Sequence, residues 1–178
     1  MPNWCNNDVT IYHKDPAKIK ALAEAIKDGN FCKSVKPIPE ALANTTSPNR
    51  ENAAELVEAT GYADWYDYCV NEWGTKWDVD PYDTPFVDEN TIEFGFDSAW
   101  SPPTGIYEEL VAQGYEVRAT YYEPGMCYVG RWDNGNDEYY EYSDYDDPDD
   151  VREFIGEELD DAYGISDSMR EYLADEEE

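Results

Sequence analysis

"TIEFGFDSAWSPPTGIYEELVAQGYEVRATYY" (91–122) reads as strand, helix, strand, and it decides the fold. Ile92, Phe94 and Phe96 alternate with smaller or polar residues, the period-two pattern of a half-buried strand. The helix opens at Pro102 and Pro103, turns Ile106, Leu110 and Val111 inward, and stops at Gly114. "YEVRATYY" (115–122) is the second strand. The start of the chain repeats this grammar. "CNNDVTIYH" (5–13) is a strand built on Val9 and Ile11. "DPAKIKALAEAIKDG" (15–29) is a helix capped by Asp15, with Pro16 at its first position and Gly29 at its end. Ile19, Leu22 and Ile26 fall on one face of it.

Between these two units, residues 30–73 read as an insertion. Pro37, Pro39 and Pro48 make 30–50 irregular, while "ENAAELVEATG" (51–61) and "YADWYDYCVNEW" (62–73) read as helices. "TKWDV" (75–79) is a short strand. The first six elements therefore spell βαββαβ. That order predicts an α+β domain, a ferredoxin-like split βαβ with an antiparallel sheet in the order 4-1-3-2. Beyond it, "EPGM" (123–126) predicts a type II turn, with Gly125 supplying the positive φ. "MCYVGRW" (126–132) and "DEYYEYS" (137–143) add two strands around the "DNGN" turn. "DDVREFIGEELDDAYG" (149–164) is an amphipathic helix burying Val151, Phe154, Ile155 and Leu159, and "SDSMREYLADEEE" (166–178) is a capped helix that frays at its end. The expected division is 1–132 as the domain and 133–178 as an acidic extension packed on it.

The charge is the outlier. The chain has 178 residues and a net charge of -30. Residues 1–50 carry 5 acidic and 7 basic side chains, whereas 133–178 carry 20 acidic and 2 basic. Such a field repels nucleic acid and anionic membranes and attracts basic surfaces. The 16 Tyr and 6 Trp argue that most of the chain folds, because disordered acidic tails are poor in aromatics. No run approaches the roughly 20 apolar residues of a membrane span, and the N-terminus does not read as a signal peptide. Cys5, Cys32, Cys69 and Cys127 form no C-x-x-C pair and have only His13 to help them, so they read as free thiols of a cytoplasmic protein with no metal or cofactor.

The predicted topology brings four motifs to one end of the sheet: "PNWCNN" (2–7), "WGTKWD" (73–78), "SAWSPP" (98–103) and "YYEPG" (121–125). Trp4, Trp73 or Trp77, Lys76, Trp100, Ser101 and Glu123 become neighbours there. Taken with "MPNWCNN" at the start, these motifs resemble the YubB-type ferredoxin-like family of phages and plasmids, over about residues 1–132. The resemblance implies a ferredoxin-like fold with a helical insertion and a mobile-element origin. It implies no activity and no catalytic residue. The aromatic end, with Lys76 and a helix N-terminus near Ser101, offers a place for a small anion or a base; the plain reading is packing. Lys76, Asp78, Glu123 and Cys127 are catalytic candidates by proximity alone, and no catalytic motif is present.

The acidic segment has its own readings. Solvation of a face is the plain one. Halophile adaptation conflicts with the uneven charge, because six of the seven lysines lie between Lys14 and Lys36. An EF-hand reading of "DYDDPDDVREFI" puts Pro148 at a ligand position and Asp149 where the glycine belongs. Mimicry of a nucleic-acid backbone fits better: Asp150, Glu153, Glu157 and Asp161 recur at three- and four-residue steps on one predicted helix, about 5–6 Å apart. The sequence thus predicts a non-enzymatic inhibitor of a host nucleic-acid-binding defence protein, of anti-restriction or anti-CRISPR type. It would fill a basic groove with Asp144, Asp146, Asp147, Asp149, Asp150, Glu153, Glu157, Glu158, Asp160 and Asp161. The alternative is a small-ligand or enzymatic domain working at the aromatic end through Trp4, Trp73, Lys76, Trp100, Ser101 and Glu123.

Overall fold

The computed structural model describes residues 1–176. Its frame is a six-stranded antiparallel sheet with helices on both faces, an α+β architecture. The chain runs β1 (Trp4–Tyr12), α1 (Pro16–Lys27), four short helices, β2 (Phe86–Val87), β3 (Thr91–Ala99), α6 (Thr104–Ala112) and β4 (Glu116–Glu123). The four short helices are α2 (Phe31–Val35), α3 (Glu40–Ala43), α4 (Ala53–Thr60) and α5 (Trp65–Glu72). A hairpin of β5 (Tyr128–Asp133) and β6 (Asn136–Glu141) follows, then α7 (Pro148–Ile155), α8 (Glu157–Tyr163) and α9 (Ile165–Glu176). The strand order is β2-β3-β1-β4-β5-β6.

Alternation along the strands separates two faces. Val9, Ile11, Ile92, Phe94, Phe96, Val117, Ala119 and Trp132 point to the inner face, where they meet α1, α2 and α6. Ile19, Leu22 and Ile26 of α1, Phe31 of α2, and Ile106, Tyr107 and Leu110 of α6 complete that core. Asp15 caps α1 as expected, its carboxylate accepting from Ala17 N at 2.9 Å. On the outer face a second core joins β5 to the C-terminal helices through Val129, Tyr142, Val151, Ile155, Leu159 and Ile165. These helices cover only the β4–β6 side. The outward residues of β1 and β3 border an open groove.

Several expectations need correction. Residues 75–79 form no strand. The Asp78 carboxylate accepts from the backbone N–H of Cys32 (2.8 Å) and Lys33 (3.0 Å), which ties this stretch to α2 instead of the sheet edge. The place beside β3 goes to Phe86–Val87, paired Phe86↔Glu93 and Val87↔Ile92. Residues 30–50 contain α2 and α3, because Phe31, Cys32, Val35 and Leu42 find burial there despite the prolines. Gly125 does not supply a positive φ; Cys127 does, at 55°. Gly125 is needed for space: a Cβ there would lie 2.6 Å from Asn3 Nδ2 and 2.9 Å from Glu123 Oε1. Asn134 and Gly135, by contrast, both adopt positive φ between Asp133 and Asn136, as a two-residue hairpin turn requires.

The largest correction lies in the acidic segment. Residues 149–164 are not one helix. Gly156, at φ 89° and ψ 149°, breaks them into α7 and α8. Phe154 is not buried; it is 38% exposed and stacks on Tyr145 at 4.7 Å between centroids. The last helix starts at Ile165, and Glu177 and Glu178, part of its expected frayed end, lie outside the described residues.

Candidate functional site

The strand ends do converge. Trp4 opens β1 opposite Ala99, the last residue of β3, and Trp100 N donates to Asn3 O at 2.9 Å. Asn3 in turn reaches Glu123 at the end of β4. Trp4, Trp77 and Trp100 are 45%, 43% and 44% exposed, so this rim shows three indoles to solvent. Trp100 does so from the left-handed region, at φ 70°. Holding a bulky residue there costs about 1–3 kcal/mol, and the conformation persists only where its surroundings fix it. Two hydrogen bonds fix it: its N–H to Asn3 and its carbonyl to the Tyr128 hydroxyl.

Trp73 does not join the rim. It is 1% exposed, its Nε1 donates to Lys36 O at 2.8 Å, and its carbonyl accepts from Gly105 N of α6 at 3.1 Å, which ties the insertion to α6. Trp77 takes its place, with ring centroids 6.2 Å from Trp4. Lys76 stands over the Trp77 ring at 4.0 Å from its centroid. The Ser101 hydroxyl donates to Gly74 O. The anion reading of the α6 N-terminus fails, because the N–H groups of Thr104, Gly105, Ile106 and Tyr107 all donate to backbone carbonyls.

The proximity candidates are occupied. Glu123 is buried, and its carboxylate accepts from Gly125 N (2.7 Å) and Met126 N (2.8 Å), organising the β4–β5 turn. Asp78 is committed to α2. The four cysteines are free, and burial pushes the Cys5 and Cys69 thiols up to about 12 and raises Cys32 and Cys127 as well. A thiol held protonated is a poor nucleophile. Among the described residues no group of three or more His, Cys, Asp or Glu is arranged to hold a metal ion.

Of the ten carboxylates singled out in the acidic segment, nine are exposed and Asp160 is buried. Asp160 accepts from the N–H and the hydroxyl of Ser166, both at 2.7 Å, and from Arg152. Its role is to join α8 to α9, so it cannot be offered to a partner. Arg152 also holds Glu157 (3.1 Å) and Asp161 (2.7 Å). Arg170 holds Asp149, and Arg131 holds Glu158 at 3.1 Å. Asp147 caps α7 through Asp149 N. Asp144, Asp146, Asp150 and Glu153 remain exposed without a cation partner among the described residues. The continuous stripe Asp150–Glu153–Glu157–Asp161 is therefore interrupted twice, by Gly156 and by the Arg152 clamp. The clamp was hidden in the sequence because Arg152 reads there as one more exposed helical charge.

A third feature was not foreseen. The outer face of β3, β1 and β4 floors an open groove of about 740 Å³, walled by the Tyr82–Phe86 segment on one side and by Arg131 and Glu158 on the other. The signal was present in the alternation Asp8, Thr10 and Glu93, Gly95, but only the half-covered sheet makes it a groove.

No family model and no curated protein matches the chain. A solved structure, protein api92 from Yersinia pseudotuberculosis, described by the DUF1281 family model, aligns at 13% identity with a TM-score of 0.41. The alignment covers 79% of this chain and 98% of that one. A likeness of that size carries no argument about fold or function.

Proposed function

We propose that the chain is an acidic inhibitor from a phage or plasmid, acting in the host cytoplasm on a nucleic-acid-binding defence protein of restriction or CRISPR type. Its frame is a ferredoxin-like domain of YubB type. The sheet segment β2-β3-β1-β4, with α1 and α6 on its inner face, supports the ferredoxin-like reading, as do the four motifs at the indole rim. The inhibitor does no chemistry of its own; it competes for a basic groove.

One observation carries this reading: six exposed carboxylates stand on α7 and α8, three more lie just before α7, and a separate apolar core locks those helices to the sheet. A fixed array differs from a floppy acidic tail. It pays little ordering entropy on binding, and it releases counterions as a nucleic acid does when Lys and Arg side chains meet it. Arg152 and Arg170 fit the reading as braces that hold α7, α8 and α9 in one arrangement.

The test neutralises the four free carboxylates, Asp144→Asn, Asp146→Asn, Asp150→Asn and Glu153→Gln, and leaves the braced ones in place. Tagged protein captures partners from bacterial lysate at about 50 and about 500 mM salt, and each partner is then assayed for nucleic-acid binding. The expected result is a basic partner, captured best at low salt, that loses DNA or RNA binding when the chain is added. The quadruple variant should need about tenfold more protein for the same inhibition. Unchanged capture, with unchanged salt dependence, would refute the reading.

A further inference from the structure

The indole rim encloses a pocket with a chemistry of its own. A cavity of about 350 Å³ is lined by Trp4, Trp77, Asp78, Asp80, Tyr82 and Asp97, and the Asp78 carboxylate is already committed to α2. That volume falls in the range of small-molecule sites. The two indoles are tilted by 39° to each other and are nearly half exposed. The face of an indole is electronegative and attracts cations within about 6 Å. Trp77 already does so: Lys76 stands over its ring, but in the neighbouring cavity, and it does not line this one.

The carboxylates decide the ligand's charge. Asp97 Oδ1 accepts from Asn6 Nδ2 and from the Tyr82 hydroxyl, which fixes the orientation of the group. Its Oδ2 receives no hydrogen bond from the described residues. Asp80 has no ion-pair partner among them. The larger groove differs in having cations of its own: Arg118 and Arg131 line it and pair with Asp133 and Glu158. In the indole pocket the negative charge is oriented and left open. An anion is excluded. A small hydrated metal ion would gain nothing from two indole walls. A cation with an apolar or planar skin would gain from both walls and carboxylate.

We propose that the Trp4–Trp77 pocket binds an organic cation, a guanidinium or alkylammonium group, with the indole faces as walls and Asp97 as counter-ion. The site lies at the opposite end of β1 and β3 from His13 and uses none of the ten carboxylates of the acidic segment, so it stands apart from the inhibitor reading.

The test follows the six indole N–H signals of the full chain by ¹H–¹⁵N spectroscopy during titration with arginine amide, tetramethylammonium chloride and, as control, NaCl at matched ionic strength. The expected result is a saturable shift of the Trp4 and Trp77 signals with at least one organic cation and none with NaCl. Response to arginine amide alone assigns a guanidinium, and response to tetramethylammonium alone assigns a quaternary amine. Trp4→Ala should weaken binding about tenfold, and Asp97→Asn, which keeps the shape of the pocket, about tenfold as well. The quadruple Asp144/Asp146/Asp150/Glu153 variant should bind as the parent does. Equal shifts in NaCl, movement of all six indoles together, loss of binding in the quadruple variant, or full binding by both Trp4→Ala and Asp97→Asn would each overturn the proposal.

Discussion

The two helical layers on either side of the sheet bury apolar residues by the same rule and differ in what they expose. The inner layer is broad. Phe31, Phe94 and Phe96 pack ring against ring, and Trp73, Tyr107 and Trp132 are buried within the same core. The outer layer is narrow, with six buried apolar residues, and its outward positions are mostly carboxylates. Its small core is supplemented by ionic contacts: Arg152 gathers Glu157, Asp160 and Asp161, and Arg170 gathers Asp149 and Asp167. The difference teaches that stability here has two sources. The inner layer depends on area removed from water. The outer layer depends in part on protonation state and salt.

The strongest way to break this comparison is in the inner layer. Phe96→Ala empties a fully buried ring site and should cost about 3–5 kcal/mol by chemical denaturation. The loss should be the same at pH 7 and pH 4. A loss that grew with acid would remove the distinction between the layers.

Next comes Asp160→Ala in the outer layer. It removes charge-assisted bonds to Ser166 and Arg152 and should cost about 1.5–3 kcal/mol. This loss should depend on pH. Burial alone would raise the pKa of Asp160, but the Ser166 hydroxyl and N–H and the Arg152 guanidinium outweigh it and hold the group below its ordinary 3.8. A folded value below the unfolded one gives stability that is complete above the unfolded value and is lost as pH falls through the folded value. The gap between parent and Asp160→Ala should therefore be constant above about pH 5 and shrink below the ordinary carboxylate range.

Gly156→Ala sharpens the comparison by asking whether α7 and α8 want to be one helix. A Cβ at Gly156 meets nothing within 4 Å, so any cost comes from the backbone alone. At φ 89° and ψ 149° only glycine is comfortable, and the variant should lose about 1–3 kcal/mol. A gain in stability with increased helical circular dichroism would instead show that the helices can fuse, restoring the continuous stripe.

Much of the frame was legible in the sequence. The strands at 5–13, 91–100 and 115–122 and the helices at 15–29 and 102–114 were set by alternation, helical spacing and their own end signals. Those signals act within a few residues, so the sequence displays them directly. The Asn-Gly turn belongs to the same class. So does the overall charge, which the residues carry wherever they lie.

Tertiary contacts decided the rest. Asp78 gave its carboxylate to α2, 45 residues upstream in the chain, and moved the edge strand from 75–79 to Phe86–Val87. Trp73 went inward and Trp77 outward, a choice made by a carbonyl at Lys36. Arg152 turned three of the most suggestive carboxylates into braces, and Gly156 divides α7 from α8 even though Val151, Ile155 and Leu159 at four-residue steps would share one face of an unbroken helix. The half-covered outer face and the Trp4–Trp77 pocket exist only because strand ends and loops distant in sequence meet there. Local propensity fixes what a segment prefers; which hydrogen bond or burial it finally obtains depends on partners that sequence distance conceals.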